Sequence, residues 1–323
     1  MRWLLRRWWF WAGTGFILVA IAAGYLVIPV GEGRISQANC DRIQLGMTFA
    51  EVKSVAFAVV TSRASGTLPD SSSCAGEWTM PGSQVGLRER VLGCILGCAV
   101  GDALGAPYEG LWPHQIPDQR WLLADFAEIE GYPKGQYTDD TQLSVATVES
   151  LVASGDLSLP HLARSIARLL KRQAVVGPGG ACTHAAQTFL RTGDWTTCGA
   201  AVGQAGNGTA MRTAVLGLFF LEEPDRLPAA VADVSRITHH DPRSIAGGIA
   251  IAKAAQLLAS DQADSPLTFC AAIAETMALF EPSFATSVQA LPTLLGKRQD
   301  EALPSIAWAG MALSSSSPLS RRL

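Results

Sequence analysis

A chain of 323 residues, 48% hydrophobic and 16% charged with a formal charge of −3, has the length for one large core or two domains. Its near-neutral balance and scattered Lys and Arg form no basic stripe, which argues against nucleic acid as a partner. Seven cysteines, an odd number, stand without zinc-like spacing, and Cys94 and Cys98 read as small core residues sharing one helix face.

The first predicted element is a membrane anchor over residues 1–31. No charge occurs from Trp8 to Gly31, and Arg2, Arg6 and Arg7 lie just before. About 20 apolar residues span a bilayer, and the tryptophans sit where an interfacial belt would lie. A cleaved signal peptide is the competing reading, since AIAAG offers small residues near a possible cut. The apolar run continues past that site through YLVIPV, which favours an uncleaved single-pass anchor and a membrane location. Residues 32–60 contain GMTFAEV, a turn entering a short helix with Thr48 as N-cap and Glu51 three residues on. That piece is similar to small periplasmic lipoprotein domains of the SmpA/OmlA-like type, with a generic helix start as the other reading. Residues 61–86 are rich in Ser, Gly and Pro and read as a linker.

From Leu87 onward, apolar and alanine-rich segments broken by glycine and proline predict helices. They cover 87–104, 140–154, 160–173, 181–191, 209–220, 227–235, 243–259, 267–279 and 284–296. Alternating β-branched runs are few, so residues 87–323 are expected to form a compact all-α domain.

Within the first helix, glycines at 93, 97, 101 and 105 clear one face for close approach of another backbone. Only eleven uncharged residues, 91–101, precede Asp102, too few to span a bilayer, so a buried soluble helix is expected. Asp102 and Glu109 fall at its C-terminal end, where the helix dipole disfavours anions. They therefore need a cation or open solvent.

YTDDT, residues 137–141, admits two readings. Thr138 or Asp139 can cap the next helix with Asp140 in its first turn. Alternatively, two carboxylates flanked by hydroxyls can gather around a hard cation such as Mg²⁺. GNGTAMR, residues 206–212, is a glycine turn opening a helix, whose free N–H groups suit phosphate. GPGGACT, residues 177–183, is a second such loop, with His184 within reach. In THHDP, residues 238–242, adjacent histidines point different ways and make a poor metal pair.

In the order GDALGAPYE, YTDDT, GPGGACT, GNGTAMR and THHDP, these segments resemble the ADP-ribosylglycohydrolase family over about residues 87–260. The resemblance implies an all-α domain with a two-Mg²⁺ centre at an ADP-ribose site. By position, Glu109, Thr138, Asp139 and Asp140 would be metal ligands, with Glu109, Asp139 and Asp140 serving catalysis. Gly206, Asn207, Gly208, Thr209, Met211 and Arg212 would hold the ribose and diphosphate, and His239 would line the same site. The implied reaction is hydrolysis of the bond at ribose C1″ of an ADP-ribosylated protein or related ADP-ribose conjugate.

One departure stands out. The family closes its site with a late Asp-x-Asp-Thr/Ser, whereas the acids after His240 are Asp241, Asp261, Asp264, Glu275, Glu281, Asp300 and Glu301, none in that motif. The expectation is a domain incomplete at its C-terminus and an impaired second metal site. A non-catalytic ADP-ribose binder and a non-functional truncated product are the alternatives.

Overall fold

A computed structural model describes residues 87–109, 126, 133, 135–172, 175–260, 262, 264–295 and 297. The expected anchor, lipoprotein-like segment and linker over residues 1–86 lie outside these residues, as does the C-terminal tail. Among the described residues the architecture is all-α. The helices are α1 (Leu87–Gly105), α2 (Asp139–Ser154), α3 (Leu159–Lys171), α4 (Gly180–Thr192), α5 (Ala214–Phe219), α6 (Leu227–Arg236), α7 (Pro242–Ala259), α8 (Pro266–Ala278) and α9 (Pro282–Ala290).

Helix ends follow local chemistry. Pro242, Pro266 and Pro282 each stand first in a helix, where the missing N–H costs nothing. Asp241 caps α7 by accepting from the Arg243 N–H at 3.0 Å. Ser265 and Thr268 form a reciprocal capping box on α8. Gly155 and Gly193 end α2 and α4 in the left-handed region, at φ 69° and 70°, where a side chain would be strained.

Helix α7 is the centre of the domain. Its residues from Ser244 to Ala252 are all buried, and it packs against α5, α6 and α8. Apolar character on every side is what a surrounded helix requires. By contrast α3 buries Leu162, Ala163, Ile166 and Ala167 on one face and turns Arg164 and Lys171 to solvent. The closest approach is at Gly217 of α5, where a Cβ would lie 2.0 Å from the Ala252 carbonyl oxygen of α7. Only glycine fits there. Buried Gln256 links the same pair, donating to the Phe220 carbonyl at 3.0 Å.

Two expected helices are broken. The run 209–220 divides into a 3-10 turn, Ala210–Arg212, and α5. The break comes where Arg212 and Thr213 turn their side chains to carbonyls of other segments, Thr213 Oγ1 donating to Gly248 O at 2.8 Å. The run 284–296 ends as α9 and is followed by a 3-10 turn, Leu291–Leu294, because Pro292 cannot continue the α-helical ladder.

Helix α1 also departs from expectation. It is mostly half-buried rather than buried. No described atom lies within 4 Å of a Cβ built at Gly93, Gly97, Gly101 or Gly105, so the glycine face admits no close partner among the described residues. By length and composition its stretch Arg90–Tyr108 could cross a membrane. Polar ties at both ends hold it to the domain: Arg90 donates to the Leu258 and Ala259 carbonyls at the end of α7, and Asp102 reaches α2. Burial raises the Cys94 and Cys98 thiols to about 11 and about 12, leaving both protonated at neutral pH.

Candidate functional site

The first turn of α2 gathers the acidic residues. Thr138 occupies the N-cap position, but its side chain does not cap its own helix. The cap comes from α1: Asp102 Oδ2 accepts from the N–H groups of Thr138, at 2.8 Å, and Thr141, at 3.1 Å. Both threonine hydroxyls also donate to Asp102, at 2.7 and 2.6 Å. The carboxylate that α1 disfavours at its C-terminal end is thus held by the positive N-terminal end of α2.

Asp139 is buried and turns the other way. Its Oδ2 accepts from the Gly179 N–H at 3.1 Å, joining YTDDT to the GPGGACT loop. Val176 reinforces that join, accepting from the Asp139 N–H at 3.0 Å and donating to Gln142 Oε1 at 2.9 Å. His184 of α4 is exposed.

Electrostatics shows how closely the acids are drawn together. Burial raises the Asp139 carboxyl to about 6, with Glu109 and Asp102 adding repulsion. Burial pushes Asp140 well above the usual carboxylate range, and Asp102, Asp139 and Glu109 push it further. Glu109, exposed at the rim just past the Ala106–Tyr108 turn, is raised by partial desolvation and then by Asp102. Among the described residues, no three His, Cys, Asp or Glu side chains converge into a metal-binding group. Asp140 Oδ1, however, is buried with no hydrogen-bond donor. An orphaned carboxylate oxygen amid like charges is the atom that a cation would satisfy.

The glycine loop lies alongside. Ser144 of α2 donates to its own Asp140 carbonyl at 2.7 Å, with the Met211 carbonyl a second acceptor at 3.2 Å. Met211 itself is buried. Gly206 is clamped by Ser244, whose hydroxyl accepts from the Gly206 N–H and donates to its carbonyl, each at 2.9 Å. Thr209 Oγ1 donates to the Ser244 carbonyl. No described acceptor takes the N–H groups of Asn207, Gly208 or Thr209. Of these, half-buried Asn207 leaves its N–H open to an anion, whereas Gly208 and Thr209 are buried.

Arg212 and His239 support this loop from below. The Arg212 guanidinium is fully buried, donating to Gly208 O, to Val234 O at 3.2 Å and to Thr238 Oγ1 at 2.8 Å. His239 is 2% exposed, its Nδ1 2.9 Å from Thr238 Oγ1. Burial, then the Arg212 charge, pulls the imidazole down to about 3, so it is neutral at pH 7. A parallel bridge between Ala200 and His239 fixes the histidine segment, and the His240 ring turns away toward Gly199.

Neither Gly206 nor Gly208 has positive φ. A Cβ at Gly206 would lie 2.6 Å from His239 Nε2, and one at Gly208 2.8 Å from His239 Cε1. The glycines are there because an imidazole fills the space. Gly206→Ala is expected to cost about 1–3 kcal/mol through this overlap. It should lower the thermal unfolding midpoint, and an unchanged midpoint would show that the ring can move aside.

Sequence reasoning missed the roles of Asp102, Ser244 and Thr238. The signal for Asp102 was an acid at the wrong end of a helix; nothing local marked the other two.

Comparison with known proteins adds a family match. The ADP-ribosylglycohydrolase family model matches residues 83–317. A glycohydrolase of ADP-ribosyl-dinitrogen reductase from Rhodospirillum rubrum is 35% identical over 170 residues, covering 52% of this chain and 57% of that protein. An ADP-ribosylhydrolase from Gallus gallus is 30% identical over 183 residues, covering 52% of this chain and 50% of that one. The chain thus spans about half the length of the curated relatives it matches. A solved ADP-ribosylglycohydrolase-related protein complex aligns at 24% identity with a TM-score of 0.48, over 68% of this chain and 80% of that one.

Proposed function

The chain belongs to the ADP-ribosylglycohydrolase family, and we propose that it hydrolyses the ribose C1″ linkage of an ADP-ribosylated protein or related ADP-ribose conjugate with the help of Mg²⁺. The observation that carries the reading is the orphaned, buried Asp140 Oδ1 in an acid-rich turn, set against a loop with an open N–H at Asn207.

Glu109, Thr138, Asp139 and Asp140 would hold the metal, oxygen donors suited to a hard cation. When bound, Mg²⁺ orients ribose hydroxyls and lowers the pKa of coordinated water. The half-buried Asn207 N–H faces the diphosphate, and Arg212 and His239 keep that loop in shape. In the reaction, water adds at C1″ as the bond to the protein side chain breaks, releasing ADP-ribose and the unmodified side chain. Glu109, exposed and with a raised pKa, takes a proton from the attacking water and gives it to the departing side chain, so that the hydrolysis balances. Positive charge developing on the ribose is favoured next to the carboxylates of Asp139 and Asp140.

The full chain, incubated with ADP-ribosylated protein, should release ADP-ribose with Mg²⁺ and lose that activity in EDTA, as read by chromatography of the products. Saturable ADP-ribose binding without release would establish the non-catalytic binder instead. Neither release nor binding would remove both.

A further inference from the structure

Asp102 is outside the ligand set that the family resemblance supplies, yet its two oxygens accept four hydrogen bonds from the turn that bears three of those ligands. A hydroxyl has one proton and two lone pairs. The Thr138 proton goes to Asp102 Oδ1 at 2.7 Å, whereas Asp140 Oδ2, at 3.5 Å, lies beyond a good O–H···O distance. Thr141 gives its proton to the same carboxylate at 2.6 Å. With its proton committed, Thr138 has only lone pairs to offer its other neighbours. Those neighbours include Asp140, whose Oδ1 has no donor of its own.

We propose that Asp102 is a positioning residue for a divalent cation: by taking the Thr138 hydroxyl proton and the N–H groups of Thr138 and Thr141, it turns the oxygens of Thr138, Asp139 and Asp140 into a set of acceptors. The proposal rests on the metal reading above and extends it from the ligands to the helix behind them. Residues behind a ligand typically change metal affinity about 10- to 100-fold when removed. In Asp102→Asn one acceptor oxygen becomes an NH₂ donor facing donors, so the Thr138 proton must turn toward the acids.

The test uses Mn²⁺ as probe on the full chain, with the free ion counted by its electron paramagnetic resonance signal and metal-free thermal unfolding run beside it. Asp102→Asn should weaken Mn²⁺ binding at least about 10-fold. In a Thr138→Val background the same substitution should add little, because the hydroxyl it acts through is gone. A merely structural role predicts additive losses in that cycle, and additivity overturns the proposal. Should Asp102→Asn not fold, Thr141→Val, which removes one donor and leaves every proposed ligand, should still weaken binding measurably; unchanged affinity overturns the proposal. Wild-type binding with an unaffected Asp102→Asn variant removes this assignment alone. No saturable binding by the wild type removes the metal reading with it.

Discussion

Asp140→Asn should abolish ADP-ribose release while making the metal-free chain more stable. Metal-borne charge stabilisation amounts to several kcal/mol, so losing it costs about 10³-fold or more in rate. Stability moves the other way. The Asp140 carboxyl is pushed far up by burial and by Asp102, Asp139 and Glu109, and its Oδ1 has no donor. A neutral amide of nearly the same shape removes a buried charge whose Oδ1 has no donor among the described residues, a gain on the order of 1 kcal/mol. The pH dependence gives a second signature. Burial raises the Asp139 carboxyl to about 6 against an ordinary value of 3.8, and Asp140 is also raised well above the usual carboxylate range. Between the unfolded and folded values the native state binds more protons, so stability falls as pH rises. The contribution is fully present below about pH 4; that of Asp139 is lost as pH passes through about 6, and that of Asp140 is lost in the same direction as pH rises. Metal-free wild type should therefore lose thermal stability from pH 5 to pH 8, and Asp140→Asn should lose less. Added Mg²⁺ should restore the wild type at pH 8 by binding the native state, and restore the variant little. An equal response of both proteins to Mg²⁺ would count against Asp140 as a ligand.

Arg212→Met should destabilise the domain by about 3 kcal/mol and disorder the glycine loop. Two effects compete. Burial disfavours the guanidinium charge, which the neighbouring Cys182 and Asp139 only partly offset, so its removal relieves desolvation. Against this, Gly208 O, Val234 O and Thr238 Oγ1 all lose a donor inside the protein. Thr238 Oγ1 keeps His239 Nδ1 as a partner, but the two orphaned carbonyls cost about 1–3 kcal/mol each and together outweigh the relief. Arg212→Lys keeps the charge but not the planar fork, and should recover only part of the loss. Thermal unfolding reads the stability, and amide hydrogen exchange at residues 206–210 reads the loop. Wild-type exchange in Arg212→Met would mean that Ser244 and Thr209 hold the loop unaided.

The all-α class and most helix limits were legible in the residues. Apolar periodicity, proline at helix starts and glycine at helix ends are local signals, and local signals survive in one dimension. Of the two helices misjudged, 284–296 breaks at Pro292 and the other breaks where side chains bond elsewhere. Arg212 and Thr213 reach carbonyls of α6 and α7 and interrupt the run 209–220. The ordered motifs likewise pointed to the family and named the residues of the candidate site. They did not say how those residues divide the work.

That division is tertiary. Asp102 stands 36 residues before Thr138, and no spacing rule links an acid at one helix end to the start of another. The resemblance sets Arg212 among the residues that would hold the ribose and diphosphate, but the fold buries that arginine beneath the loop, where it braces the backbone. Gly206 and Gly208 read as a turn presenting free N–H groups, yet it is the volume of His239 that excludes a side chain at either position. By itself the sequence determined the all-α class and the family, because residue types and order are written along the chain. Which groups face a ligand and which hold others in place was decided only by packing, because burial and hydrogen-bond direction exist only once distant segments meet.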